Sequence, residues 1–519
     1  MPLPAKLLIM PLIGQVGRKS WRARLAMSVL YLVLTLGAVT TGYPFLVMIS
    51  TGFTGPTDQN ENRLIPSFWQ DDEKLYAKYL DDKFSGNASQ IASFTFLTPK
   101  TPGDVQAYEE ILASLDPMLW TAGFRTAPTQ VTSKLSLRYQ AWLRARYKTV
   151  QDLNRAYLEE NVAFQTAQPP IEQLERVGWK PRPGTKWDEW LQFKSTLPVE
   201  FRIPVSKDRL FQEFVRTKYR NQFQDVPTSV SNGAAAFEEL RLSPNSPLGE
   251  EFKQKGIPFQ AQQGTFEDLY RQRHGSPPSF LQSDAKFVRS HTGSLRQEFS
   301  TRNYRYVLDY VALNGRALWN TAIFCLLAII SQLLVNPAAA YAISRYPMPA
   351  TGKILIFLLA TMAFPAEVAM IPSFLLLKDL NLLNTFWALV LPGMASGYMI
   401  FLLKGFFDSL PQELYESGQM DGAPEWLMML RIAFPLSKPV LGYLALLAFM
   451  GAYGAFLYAF LVAQDRNMWT LMVFIYQLQL TAPKAVMMAA VTLAALPTLF
   501  VFLLCQRVIM RGIVLPGER

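Results

Sequence analysis

Apolar runs long enough to cross a bilayer occur once before residue 300 and five times after it, and this uneven spacing constrains the chain more than any other feature. The first run is Leu25–Ile49; the others lie at 317–335, 354–377, 385–403, 440–463 and 485–505. A hydrocarbon core ~30 Å thick is crossed by about 20 apolar residues of helix. Helices also satisfy their own backbone groups where no water is present. Six transmembrane helices are therefore expected. Between the first two runs lie residues 50–305, which are polar, rich in proline and aromatics, and contain no span-length run. Half of all residues are hydrophobic, yet the mean hydropathy is only +0.11, as a membrane part joined to a large polar part requires. The expected fold is an all-α membrane protein with a mostly helical extra domain, large enough for one or two cores.

Charge sets the expected orientation. Residues 1–24 carry Lys6, Arg18, Lys19, Arg22 and Arg24 and no acid. Leu25–Ile49 is longer than the apolar part of a signal peptide and reads as an uncleaved span with its N-terminus in the cytoplasm. The loops on that side then hold Arg345, Lys353, Lys404, Arg431, Lys438, Arg507, Arg511 and Arg519, against Lys378, Arg466 and Lys484 on the other. Both termini are expected inside and 50–305 outside. The net charge of +10 follows from this topology and does not point to nucleic acid.

The stretch Pro411–Pro435 is an island between spans. Pro411 suits a helix start, and Glu413 and Glu416 suit the dipole of its first turns. Asp421-Gly422 reads as a turn. Pro424 opens a second short helix with Trp426, Leu427, Met429, Leu430 and Ile432 on a broad apolar face. A rigid peg beside a membrane is expected, which a soluble partner could grip.

Glu416-Ser417-Gly418, Asp421-Gly422-Ala423 and Pro435 together resemble the EAA loop of ABC importer permeases, with small residues where the family has two alanines. Asn303-Tyr304, Trp319-Asn320-Thr321, Ala340-Tyr341-Ala342-Ile343-Ser344-Arg345, Ile371-Pro372, Leu380–Thr385 and Ala494–Pro497 extend the resemblance over about 304–511 plus the first span, closest to the carbohydrate-uptake, maltose-type branch. Two segments depart from that branch: Gly451–Phe456 stands where a Trp-Asn pair is usual, and the chain ends GIVLPGER. The resemblance implies a fold of the type I importer permease kind, a permease core at 306–511 and a tail at 512–519. It makes 411–435 the loop that couples to an ATPase. It also implies a second homologous permease, two ATPase subunits that carry ATP and Mg, and an extracytoplasmic solute-binding protein. No cofactor is expected on this chain, because the phosphate-loop pattern is missing and Gly184-Thr185-Lys186 lacks its frame. Two histidines, His274 and His291, with no cysteine near them, give no expected metal or catalytic site.

Candidate solute-facing residues are fewer. Glu367 lies between Pro365 and Pro372, where a charge facing lipid is costly and a water-filled path would hold it. Asn320 and Gln332 read as interhelical hydrogen-bonding groups. In the outer domain, Trp187-Asp188-Glu189-Trp190 places two acids between two rings, so Trp187 and Trp190 are candidate sugar contacts. Thr51–Pro56 reads as a flexible attachment. Two alternatives stay open: a membrane-anchored extracytoplasmic glycan-binding or glycan-processing protein, and a permease for a solute that is not a sugar.

Overall fold

The computed structural model describes residues 21–55, 58, 60–125, 134–309, 316–346, 348–363 and 365–511. Most of the expected N-terminal segment 1–24 and all of the tail 512–519 lie outside these residues. The first helix, Trp21–Thr51, carries no charged residue after Arg24. It packs against the last helix and leaves most of its other side chains outward.

Residues beyond Thr51 form a helical domain with two hydrophobic cores. The larger gathers Tyr79, Trp120, Tyr139, Trp190 and Phe201; the smaller gathers Phe211, Val215, Leu240 and Phe252. Among the described residues the domain has one strand pair: Trp120–Ala122 pairs antiparallel with Arg202–Pro204, Trp120 opposite Pro204. Most charges inside are paired; Arg202 instead donates to the carbonyls of Leu197, Leu112 and Ala113. Lys194 Nζ and Glu172 are fully enclosed 2.7 Å apart, and Lys194 also donates to the carbonyls of Pro117 and Trp120 at 2.5 and 2.6 Å. Burial alone would raise the Glu172 carboxyl, but Lys194 and Arg125 hold it below its ordinary value. Lys83 and Asp284 form a second buried pair at 2.6 Å. For Lys194 and Glu172 the burial is tolerable because both groups find further donors and acceptors, Trp190 Nε1 and the Ala122 N–H among them.

The domain's two ends are clamped together, which corrects the expected flexible attachment. The helix Thr292–Val307 returns along the exit of the first helix. Asn303 Nδ2 donates to the carbonyls of Gly52 and Thr54 at 3.0 and 2.8 Å, and the Tyr304 hydroxyl donates to Ile49 at 2.9 Å. The Phe53 ring lies between those of Trp69 and Tyr304. A Cβ on Gly52 would sit 2.5 Å from the Tyr304 hydroxyl oxygen, so glycine here provides close approach. Thr51 and Thr54 are buried. Pro56 is outside the described residues.

After Arg316 the chain is again apolar. The central helix, Ala317–Arg345, runs a full two turns and more beyond the expected 335. It packs against Gly397–Asp408 and Lys438–Tyr453. Three expected spans are not single rods. The run 354–377 is two helices, Thr351–Met362 and Ala366–Asp379, bent by 99°. The run 385–403 bends by 51° between Phe386–Gly393 and Gly397–Asp408. The run 440–463 divides into Lys438–Tyr453 and Leu457–Val462. Tertiary contacts explain the second bend. A Cβ on Gly397 would meet the Leu358 carbonyl at 2.5 Å. Buried Asn336 accepts from Ser396 N at 2.7 Å and donates to the Met394 carbonyl at 3.2 Å, so it holds the broken backbone. An unexpected apolar helix, Leu471–Thr481, precedes the last one, Lys484–Arg511. Among the described residues three unbroken helices are long and apolar enough to cross a membrane, or up to six spans if the bent pairs within 351–379, 386–408 and 425–453 each count as one.

Candidate coupling site

The hairpin between Gly397–Asp408 and Lys438–Tyr453 begins at Glu413, two residues after the proline expected to start it. Its first arm is the helix Glu413–Met420. The turn is closed by Gly422 N donating to Gln419 O at 3.0 Å and Ala423 N to Gly418 O at 3.0 Å. Gly422 has φ +70°, and a Cβ there would meet nothing within 4 Å. Backbone conformation, not crowding, therefore requires the glycine. Pro424 then caps Glu425–Met428, which widens into a π-helical turn at Met429–Ala433 and ends at Phe434–Leu436. The second arm and the following span meet at 85°.

The arms touch at Gly418, where a Cβ would lie 3.1 Å from Met428 Sδ and 3.4 Å from Ile432 Cδ1. Glycine costs the first arm up to about 1 kcal/mol of helix propensity and lets the second arm close on it. Tyr415 is fully buried against the C-terminal end of the central helix. The Arg345 guanidinium lies 3.8 Å over its ring, and the Tyr341 hydroxyl donates to Glu425 at 2.9 Å. Burial pushes the Tyr415 phenol up, which keeps it neutral beside Glu425. These three anchors were not picked out from the sequence; the only local sign was the tyrosine and arginine of Ala340–Arg345.

Glu416, Ser417, Asp421, Gly422 and Pro435 are exposed, while Gly418 and Ala423 are half-buried between the arms. The expected apolar face is divided. Met428, Met429 and Ile432 pack inward and Leu427 is half-buried, while Trp426 and Leu430 stay out, joined by Met420 at 88% exposure. The hairpin thus exposes both carboxylates, Glu416 and Asp421, and large apolar side chains, Met420, Trp426 and Leu430.

Other expected residues fall differently. Glu367 is exposed in the first turn after the 99° bend, with no ion pair among the described residues. Asn320 reaches a loop instead of a helix, donating to the carbonyls of Asn467 and Trp469 at 2.7 and 3.0 Å. Gln332 Oε1 is buried without a partner among the described residues. The sugar-stacking expectation for Trp187 and Trp190 is corrected, because their exposures are 7% and 0% and both belong to the larger core. The intervening Glu189 is itself buried, accepting from Arg146 Nε and from the hydroxyls of Tyr147 and Tyr157 at 2.8–2.9 Å. Three donors make that burial tolerable.

Bent apolar helices around a polar hairpin are the architecture of a membrane protein. A family described as binding-protein-dependent transport system inner membrane component matches residues 317–514. A probable ABC transporter permease protein, YurM of Bacillus subtilis, is 29% identical over 198 residues, covering 37% of this chain and 66% of the relative. Protein LplC of Bacillus subtilis is 32% identical over 200 residues, covering 36% and 67%. The sn-glycerol-3-phosphate transport system permease protein UgpE of Yersinia pestis is 31% identical over 204 residues, covering 38% and 73%. A solved bacterial ABC transporter involved in import of the acidic polysaccharide alginate aligns at TM-score 0.36 and 22% identity, over 40% of this chain and 78% of that one. This chain belongs to the family of inner-membrane permease components of binding-protein-dependent transport systems.

Proposed function

We propose that the chain is one permease subunit of an ATP-driven importer for a sugar or oligosaccharide. It pairs with a second, homologous permease, two ATPase subunits and an extracytoplasmic binding protein, and forms half of the solute path. The termini and the 411–435 hairpin lie in the cytoplasm, and the 50–305 domain lies outside. ATP and Mg belong to the ATPase subunits. Nucleotide-driven closure of those subunits pulls on the hairpin, and the Tyr341, Arg345 and Tyr415 anchors pass the movement to the central helix. Glu367, at the break of its span, faces the path or the partner permease, since lipid would penalise it.

The observation that carries this reading is the hairpin: a backbone fixed by Gly422, exposed Glu416 and Asp421, and outward Met420, Trp426 and Leu430. The solute class is supported by the resemblance to the carbohydrate-uptake branch. One relative is named for sn-glycerol-3-phosphate, so a phosphorylated polyol belongs in the same uptake panel. Gly422→Val and Glu416→Lys are expected to abolish uptake while the protein still inserts. Normal uptake by both variants would remove the hairpin as the coupling element. Cysteines at Ser229 and Ser417 should react with an impermeant reagent from opposite sides of the membrane; reaction of both from outside would overturn the orientation.

A further inference from the structure

Two grooves flank one turn of helix where the outer domain meets the membrane helices. The first, about 330 Å³, lies between Lys134–Arg146 and the end of Thr292–Val307. Arg138, Arg144 and Arg305 line it, all three exposed and none in an ion pair among the described residues. The Arg138 guanidinium lies over the Phe201 ring at 4.9 Å, which orients it without neutralising it. Two carboxylates are present. Glu298 is engaged by Arg302 at 2.7 Å and Lys134 at 3.5 Å, and Asp309 also lines the groove, so these two acids stand against five cations, Lys134, Arg138, Arg144, Arg302 and Arg305. The neighbouring stretches 126–133 and 310–315 contain no acid in their sequence. A surplus of positive charge is therefore built into this groove.

The second groove, about 460 Å³, begins two residues further along the same turn, at Val307 and Leu308. Its lining is wholly apolar and includes Leu471, Ile475, Leu493 and Phe500. Leu493 lies nine residues into the last helix, so the groove runs down within the membrane-crossing segment. Just before both grooves, Tyr304 is bonded to Ile49 in the last turns of the first span. The polar groove thus sits at the membrane boundary and the apolar one inside it.

We propose that these grooves form one binding site for an anionic phospholipid, its phosphate held by Arg138, Arg144 and Arg305 and an acyl chain lying along Leu308, Leu493 and Phe500. Charge complementarity selects the headgroup, since arginine presents paired donors to phosphate. Depth selects a lipid over a soluble anion, because only a lipid fills both grooves at once. The site is separate from the coupling hairpin and does not depend on which solute is carried.

Native mass spectrometry of the full chain, released from nanodiscs of mixed phosphatidylglycerol and phosphatidylcholine, tests this. Retained phosphatidylglycerol is expected on the unaltered chain. The triple change Arg138→Gln, Arg144→Gln, Arg305→Gln should weaken it on the order of a hundredfold, about fivefold per arginine. Replacing the equally exposed Arg176, Lys180 and Arg182 by Gln should leave it unchanged. Leu493→Trp, which fills the apolar groove, should reduce retention of both lipids. Equal retention of the two lipids by the unaltered chain would overturn the proposal, as would full retention in the Leu493→Trp chain. Displacement of the lipid by millimolar glycerol phosphate would also overturn it, since that makes the groove a site for a free anion.

Discussion

In the outer domain the largest rings, Trp120, Trp190, Tyr79 and Tyr139, are enclosed, whereas the first helix and the hairpin turn Trp21, Leu32, Met420 and Trp426 outward. The domain also buries its charges in pairs such as Lys194–Glu172. The membrane part holds its broken backbone with neutral groups such as Asn336 and Asn320. The difference is in where large apolar surface is left. The 50–305 domain encloses its largest rings and pairs most of its buried charges, whereas the membrane part leaves large apolar side chains outward.

The strongest way to break this comparison is to remove Glu172. Glu172→Ala would strand the Lys194 cation in an enclosed site, at a cost of about 3–5 kcal/mol. Thermal unfolding of the full chain in detergent, followed by tryptophan fluorescence, should then show an early transition of the outer domain with the membrane helices still formed. A single unchanged transition would mean the domain does not stand on its own core.

A second change of somewhat smaller size concerns Glu267. Burial, with Asp208 nearby, pushes its carboxyl up to about 7, while Ser206 and the backbone of Lys207 donate to it. Between about pH 4.5 and pH 7 the folded domain holds a proton that the unfolded chain, with an ordinary value near 4.3, has lost. Stability should therefore fall as pH rises through that window and level off above it. Glu267→Gln should flatten this dependence and stabilise the domain at pH 8 by on the order of 2–3 kcal/mol. Denaturant melts at pH 5 and pH 8 check it; an unchanged slope in the variant would refute the assignment.

Smaller still, Gly52→Val should force the Tyr304 hydroxyl away at about 1–3 kcal/mol and speed hydrogen exchange at Gly52–Thr54. Exchange as slow as in the unaltered chain would restore the flexible attachment read from composition. The smallest effect is expected for Gly422→Ala. With open space around its Cβ, the cost is the backbone penalty alone, about 1 kcal/mol. A loss of several kcal/mol would mean that crowding also matters there.

The positions of the spans were legible because bilayer thickness sets a length that composition reveals at once. The breaks were not, because they are fixed from a distance: Gly397 is pressed by the Leu358 carbonyl, and Asn336 reaches the 394–396 backbone from another helix. The 11-residue Leu471–Thr481 helix fell below span length and went unread. The hairpin turn announced itself through Asp421-Gly422 and Pro424, whose conformational demands are local. Its anchors did not, since Tyr415 meets Arg345 only after folding. Trp187 and Trp190 misled for the same reason. The acid between them looked solvated, but Arg146, Tyr147 and Tyr157, all from outside its own helix, come to meet it.

The clamp at Gly52, Asn303 and Tyr304 makes the outer domain a pointer. With no slack at its base, the domain keeps its angle to the first helix, so any tilt of that helix swings the domain's far edge through a wider arc than the helix itself travels. A fluorophore at Ser229 would magnify helix tilt that one placed at the pivot could scarcely register. Loosening the pivot by Gly52→Val should blur that signal even where the helix moves as before.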